Sequence, residues 1–226
     1  MLNAQDLTAL WLTLKLALVS TLVLLVIGTP LGWWLAMTRR RFRPVVDALV
    51  SLPLVLPPTV LGFYLLLLLG PRGPVGQLMT ALGGQPLAFT FAGLVIGSVI
   101  YSLPFVVQPI RDGFLAVGRG PLEAAATLGA GPRDRFFRVA VPLARRGFLT
   151  AATLGFAHTL GEFGVVLMIG GNIPGETRVL SIAIYDQVET LAYGRAHLMS
   201  AGLLLLSFGL LLIVHLVNRR YSGVRT

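Results

Sequence analysis

The 226-residue chain carries few groups able to do chemistry: nine Asp and Glu, three His, a single Lys and no Cys. The absence of cysteine removes thiolate nucleophiles, thiolate metal sites and disulfides together. Glu162 stands in an apolar stretch with His158 four residues before it, which places both on one face of a helix. A carboxylate at membrane depth is costly and by default marks function. A histidine and one carboxylate supply too few metal ligands, and no matching cluster lies elsewhere, so no metal site is expected. Arg178, two residues after Glu176, could meet an anion or pair with Glu176 or Asp186. No Gly-x-Ser-x-Gly elbow, His-Glu-x-x-His helix or pair of intramembrane aspartates occurs, and no catalytic residue is assigned. The phosphate-binding Gly-x-x-x-x-Gly-Lys-Ser/Thr loop is excluded too, because Lys15 has no glycine before it.

The elements that hold these groups follow from composition. Hydrophobic residues make up 55% of the chain and charged residues only 12%, at a mean hydropathy of +0.82. Soluble domains carry about 25% charged residues, so most of this chain belongs in lipid. Five segments are apolar over the roughly 20 residues a crossing requires. They are Leu10–Met37, Val46–Leu69, Phe89–Ile110, Phe148–Gly170 and Leu198–Val217. The first is too long for a cleaved leader and reads as an anchor that stays. Pro53, Pro57 and Pro58 should kink or break the second. Ala151 and Gly155, with Ala157 and Gly161, give the fourth small faces for close packing. Trp33 and Trp34 suit an aromatic belt at the end of the first. Ser181–Val188 has the composition of a short amphipathic helix at the outer membrane surface; a sixth, partial crossing over 175–190 is the weaker alternative, because Glu176, Arg178, Asp186 and Glu189 fall there.

The net charge of +9 could suggest nucleic acid, but its distribution gives another reading. Arg39, Arg40, Arg41 and Arg43 follow the first span. Arg111, Arg119, Arg133, Arg135, Arg138, Arg145 and Arg146 lie between the third and fourth, and Arg219, Arg220 and Arg225 follow the fifth. Fourteen of the 18 basic residues thus fall on one side, with Lys15, Arg72, Arg178 and Arg195 as the remainder. The positive-inside rule makes that side cytoplasmic, with the amino terminus outside and the carboxyl terminus inside. The charge is an orientation signal, and no nucleic-acid partner is expected.

Residues 111–146 form the one long cytoplasmic loop. Within it Gly120-Pro-Leu-Glu-Ala-Ala-Ala-Thr127 predicts a short helix, with Pro121 and Glu123 in its first turn and Gly129, Gly131 and Pro132 ending it. Its small side chains would let another protein approach closely, or it could simply cap the loop. Glu123-Ala124-Ala125, Gly129 six residues after the Glu, and Val139-Ala-Val-Pro142 resemble, at every spacing, the EAA loop of bacterial ABC importer permeases. Leu52-Pro-Leu-Val-Leu-Pro-Pro58, Leu160-Gly-Glu-Phe-Gly164 and Asn172-Ile-Pro-Gly-Glu-Thr-Arg178 extend the resemblance to the oxyanion-importer permeases. The run from Gly175 to Tyr185 and the short length make it most similar to the molybdate permease family.

The resemblance implies an all-α integral membrane protein of about five transmembrane helices, with residues 1–226 one type I importer domain in a bacterial inner membrane. It implies a coupling helix carrying Glu123, Ala124, Ala125, Gly129 and Pro142 that seats on a cytoplasmic ATPase. The implied partners are two ATPase subunits that bind ATP and Mg, a second permease copy and a periplasmic molybdate-binding protein. This chain itself would hold no cofactor. Substrate would pass by alternating access. Glu162, His158, Gly161, Pro57 and Pro58 are candidates for the pathway or its gate. Glu162 could equally make a structural hydrogen bond between spans, and the prolines could be packing kinks. Glu176 and Arg178 are candidates for docking the binding protein. Tungstate or sulfate and thiosulfate are alternative cargoes. A proton-coupled secondary transporter using Glu162 and His158 is the alternative of another class, although no inverted repeat is visible. An enzyme embedded in the membrane lacks any motif in its favour.

Overall fold

The computed structural model describes residues 3–222; Arg225 lies outside them. Every regular element among those residues is helical. Helix α1 (Ala4–Met37) starts well before the apolar stretch, because Asn3 and Asp6 form a reciprocal capping box with bonds of 2.8 and 2.9 Å. At about 1.5 Å per residue its 34 residues exceed the roughly 30 Å hydrocarbon core, so it projects beyond it. Asp6, near its start, pairs with Arg195 at 3.0 Å.

The second span is not one helix. Helix α2 (Arg43–Ser51) runs into a tight turn at Leu52–Leu54, and α3 (Pro58–Leu69) begins after Pro57. Pro53, Pro57 and Pro58 lack the N–H that a continuous helix requires, as the sequence predicts. A turn at 70–73 leads to α4 (Pro74–Ala81). Helix α5 (Phe91–Val117) is capped by the Thr90 side chain and runs seven residues past the expected end at Ile110, ending at Gly118. The extension carries Arg111, whose guanidinium bonds Asp47 of α2 at 2.6 Å and also Asp112. That network lets a charged turn continue the helix.

The loop then forms α6 (Gly120–Thr127), a first turn α7 (Pro132–Asp134), a π-helical stretch at Arg135–Ala140 and a turn α8 (Val141–Leu143). The fourth span is α9 (Arg145–Leu160) followed by α10 (Gly164–Gly170), the pair bent by 60°. The 148–170 stretch, expected as a single span, is therefore broken at Gly161–Phe163. The short helix expected at Ser181–Val188 is α11 (Leu180–Glu189), which buries Leu180, Ile182 and Ala183, and α12 (Tyr193–Ser222) closes the order. By length and composition four stretches among the described residues could cross a membrane, Pro58–Ala81 with its turn among them, or five with the bent pair.

Helices α1, α5 and α9 pack together as the centre of the bundle. Glycine permits this closeness: a Cβ at Gly32 would lie 2.8 Å from Ile110, and one at Gly155 2.5 Å from Val106. Leu24, Val106, Ile110, Phe114 and Ala151 form a core that continues into the loop through Leu122, Ala140 and Ala144. At the opposite end α3 and α10 pack on each other and on the first half of α5, around Leu65, Leu69, Val165 and Ile169. Helix α12 is mostly bare, with 11% of its apolar window buried.

Candidate functional site

Two places gather the residues that the sequence singles out. The first is the loop. Buried Leu122 plugs α6 into the core, which leaves Glu123, Ala124 and Ala126 on the exposed side and Ala125 half-buried. The Ala125 and Ala126 carbonyls accept from the Ala130 and Gly129 N–H groups at 3.0 Å, closing the helix end. That closure puts Gly129 at φ 84°, a left-handed conformation glycine adopts without a steric penalty. Leu128, immediately before it, is 88% exposed. Pro142 sits exposed in α8, thirteen residues after Gly129 and nineteen after Glu123, at the junction where the loop turns into α9.

A cluster of rings, which spacing along the chain does not reveal, binds this loop to the bundle. Trp33 of α1 meets Phe114 of α5 edge-on at 4.9 Å and Phe136 of the π-helical stretch at 5.1 Å. Phe114 meets Phe148 of α9 at 5.6 Å. Half-buried Trp33 thus anchors the loop to the bundle, a role that the expected belt position did not include; Trp34 stacks on Phe42 at the start of α2. Arg119 donates to the Met37 carbonyl at 3.3 Å. A groove of about 340 Å³ lies between these parts, lined by Trp33, Met37, Arg119, Glu123, Arg135 and Phe136 among others.

The second place is where the two broken spans meet. A Cβ on Gly164 would lie 2.8 Å from the Pro58 ring, so the break in α9–α10 touches the break before α3. A cavity of about 630 Å³ opens there, lined by Pro58, Thr59, Tyr101, Ala157, His158, Gly161 and Glu162, with residues of α10 completing it. The structure thus brings together Pro58, His158, Gly161 and Glu162; Pro57 directly precedes α3 but is not in the lining. His158 is held on three sides: Nδ1 bonds Ser102 Oγ at 2.8 Å, Phe105 stacks at 3.9 Å, and Tyr101 tilts against it at 4.8 Å. Glu162 is 4% exposed, and its backbone carbonyl accepts from Ser181 Oγ of α11 at 2.7 Å. Neither carboxyl oxygen has a hydrogen-bond partner among the described residues, and nor does the Oγ of buried Ser98. No group of three or more His, Asp or Glu among the described residues is arranged to hold a metal. Of the two small-residue pairs in the fourth span, Ala151 and Gly155 serve packing, while Ala157 and Gly161 line the cavity.

At the far end Arg178 forms an ion pair with Asp186 of α11, and Asn172 donates to the same carboxylate at 3.4 Å. Buried Thr177 bonds the Gly170 carbonyl at 2.6 Å, tying the segment after α10 back to its end. Arg178 also borders a groove of about 270 Å³ with Gln5, Thr8, Pro174 and Gly175, and Glu176 is exposed beside it.

Comparison with known proteins adds an independent measure. Residues 28–223 match the family described as binding-protein-dependent transport system inner membrane component. The molybdenum transport system permease protein ModB of Azotobacter vinelandii is 58% identical over 223 residues, 99% of each chain. The sulfate transport system permease protein CysT of Synechocystis is 35% identical over 210 residues, 92% of this chain and 73% of that one. In three dimensions the chain superposes, with a TM-score of 0.76 over 100% of its length and 82% of the other, on a bacterial ABC transporter involved in the import of alginate. At 18% identity that likeness speaks for the fold alone. These matches show that the chain belongs to the inner membrane components of binding-protein-dependent transport systems.

Proposed function

We propose that this chain is the permease subunit of an ATP-driven importer of molybdate, with tungstate as a second cargo. The observation that carries the cargo is the 58% identity to a molybdenum permease over nearly all of both chains, against 35% to a sulfate permease. In this reading α6 is the coupling helix. Glu123, Ala124, Ala125 and Gly129 form the face presented to a separate ATPase, which binds ATP and Mg, and Pro142 sets the turn into α9. The arginine-rich loop side is cytoplasmic, so the amino terminus is periplasmic and the carboxyl terminus cytoplasmic.

One loop meets one ATPase, so two copies of the permease and two ATPases form a complex about a two-fold axis. Closure of the ATPase pair pushes α6. Leu122 and the Trp33–Phe114–Phe136 rings pass the displacement into α1, α5 and α9. The breaks at Pro57–Pro58 and Gly161–Gly164 let the outer half-helices α3 and α10 change angle against the inner ones, which is what alternating access requires. Glu162, His158 and Gly161 face that moving joint. Glu176 and the neighbourhood of Arg178 meet a periplasmic binding protein.

Reconstitution in liposomes with its ATPase and binding protein tests the whole reading. Uptake of labelled molybdate should require ATP inside and persist with the proton gradient collapsed. Molybdate and tungstate should compete better than sulfate. Uptake driven by a proton gradient without ATP would overturn the class, and preferential competition by sulfate would overturn the cargo.

A further inference from the structure

The cavity at the paired breaks holds an unusual set of groups for a passage through which a dianion moves. Neither lysine nor arginine lines it, and its one acid is Glu162. Tyr101 and His158 are the other titratable groups lining the cavity, and neither bonds to the Glu162 carboxyl. Both carboxyl oxygens are shut from solvent and unbonded. An ionised carboxylate in that setting would carry a large desolvation cost, with only the neighbouring Ser98 hydroxyl and no cation to offset it, whereas the protonated form is a neutral O–H donor. The other polar lining groups, the Thr59 and Tyr101 hydroxyls and the His158 ring, can also donate without a positive charge.

Building on the import reading, we propose that this cavity is a transit site for a fully deprotonated tetrahedral oxyanion, made of uncharged donors, and that the protonated Glu162 carboxyl, enclosed in this conformation, turns to the anion as an O–H donor when the joint moves. The chemistry favours passage over capture. Neutral donors satisfy the oxygens of a partly dehydrated anion, while the lack of a fixed cation keeps residence short. An ionised Glu162 would repel the anion from the joint.

The cysteine-free sequence makes occupancy measurable. A Cβ at Gly161 has open space, its nearest neighbours being 3.9 and 4.0 Å away, so Gly161→Cys places one thiol in the cavity; Ala157→Cys is a second reporter. The permease–ATPase complex would be labelled with neutral methyl methanethiosulfonate at constant ionic strength, and the modified fraction read by mass spectrometry. Millimolar molybdate or tungstate should slow labelling at least fivefold relative to chloride. Glu162→Gln, which retains a neutral donor, should weaken protection and uptake about threefold, and Glu162→Ala tenfold or more. Loss of uptake in Glu162→Gln as complete as in Glu162→Ala, in complexes that still co-purify with ATPase, would overturn the proposal. So would unprotected thiols at both positions in a complex that imports molybdate. Protection by sulfate alone would support the site and overturn the molybdate reading.

Discussion

Gly129 shows how much one residue can decide. Its φ of 84° closes α6 and aims the exposed Leu128 away from the bundle. Any L side chain there works against its own Cβ, at a cost of roughly 1–2 kcal/mol, more for a branched one. Gly129→Val should therefore leave membrane insertion intact but cut ATPase co-purification and uptake at least tenfold. Leu128→Asp should weaken the same association without disturbing the helix, since its side chain has almost no contact within the chain. Wild-type pull-down in both variants would count against α6 as the docking element. The glutamate, alanines and glycine of this loop were legible in the sequence because the motif is local: one helix and its stop signal contain all of them. Trp33 was not legible. Its partners Phe114 and Phe136 lie far along the chain, and nothing about an isolated tryptophan near a span's end distinguishes an internal anchor from a belt residue.

Among the elements, the half-helices α3 and α10 form the tightest unit outside the central bundle. A Cβ at Gly62 would lie 2.7 Å from Met168, and one at Gly164 2.8 Å from Pro58. Gly164→Leu forces these apart, an overpacking cost of about 1–3 kcal/mol. It should lower the thermal stability of the detergent-solubilised complex and abolish uptake while ATPase binding at the distant loop persists. The inner half of the same span is tied differently, through Arg111–Asp47 and the bond from Gln108 to Ser51 at 3.0 Å. Asp47→Asn removes one charge of a partly exposed pair, an effect of about 1 kcal/mol or less. A small drop in stability with uptake mostly retained is the expected result. The break in the second span followed from its prolines. The break at Gly161–Phe163 did not, because Gly-Glu-Phe-Gly contains no residue forbidden in a helix. It depends on contacts from other elements, Ser181 to the Glu162 carbonyl and Pro58 against Gly164, that become visible only in three dimensions.

For the whole molecule, the proposed topology rests on charge asymmetry and apolar length, both properties of composition that do not depend on the residue at which each helix ends. A thiol-reactive, membrane-impermeant reagent applied to intact cells should label a cysteine replacing Glu176 and not one replacing Ala130; the reverse pattern would invert the assignment. The two breaks have a further consequence, for how the protein sits among its lipids. Acyl chains offer no hydrogen bonds, so peptide groups released from a helix at membrane depth must lie against protein or water. The side of the bundle bearing residues 52–57 and 161–163 is therefore barred from hydrocarbon, while the leucine-rich surface of α12 suits it. In the import reading this sets the rotation of the protomer about the membrane normal: α12 would face the bilayer, and the joint would look inward, where the proposed second copy would enclose it.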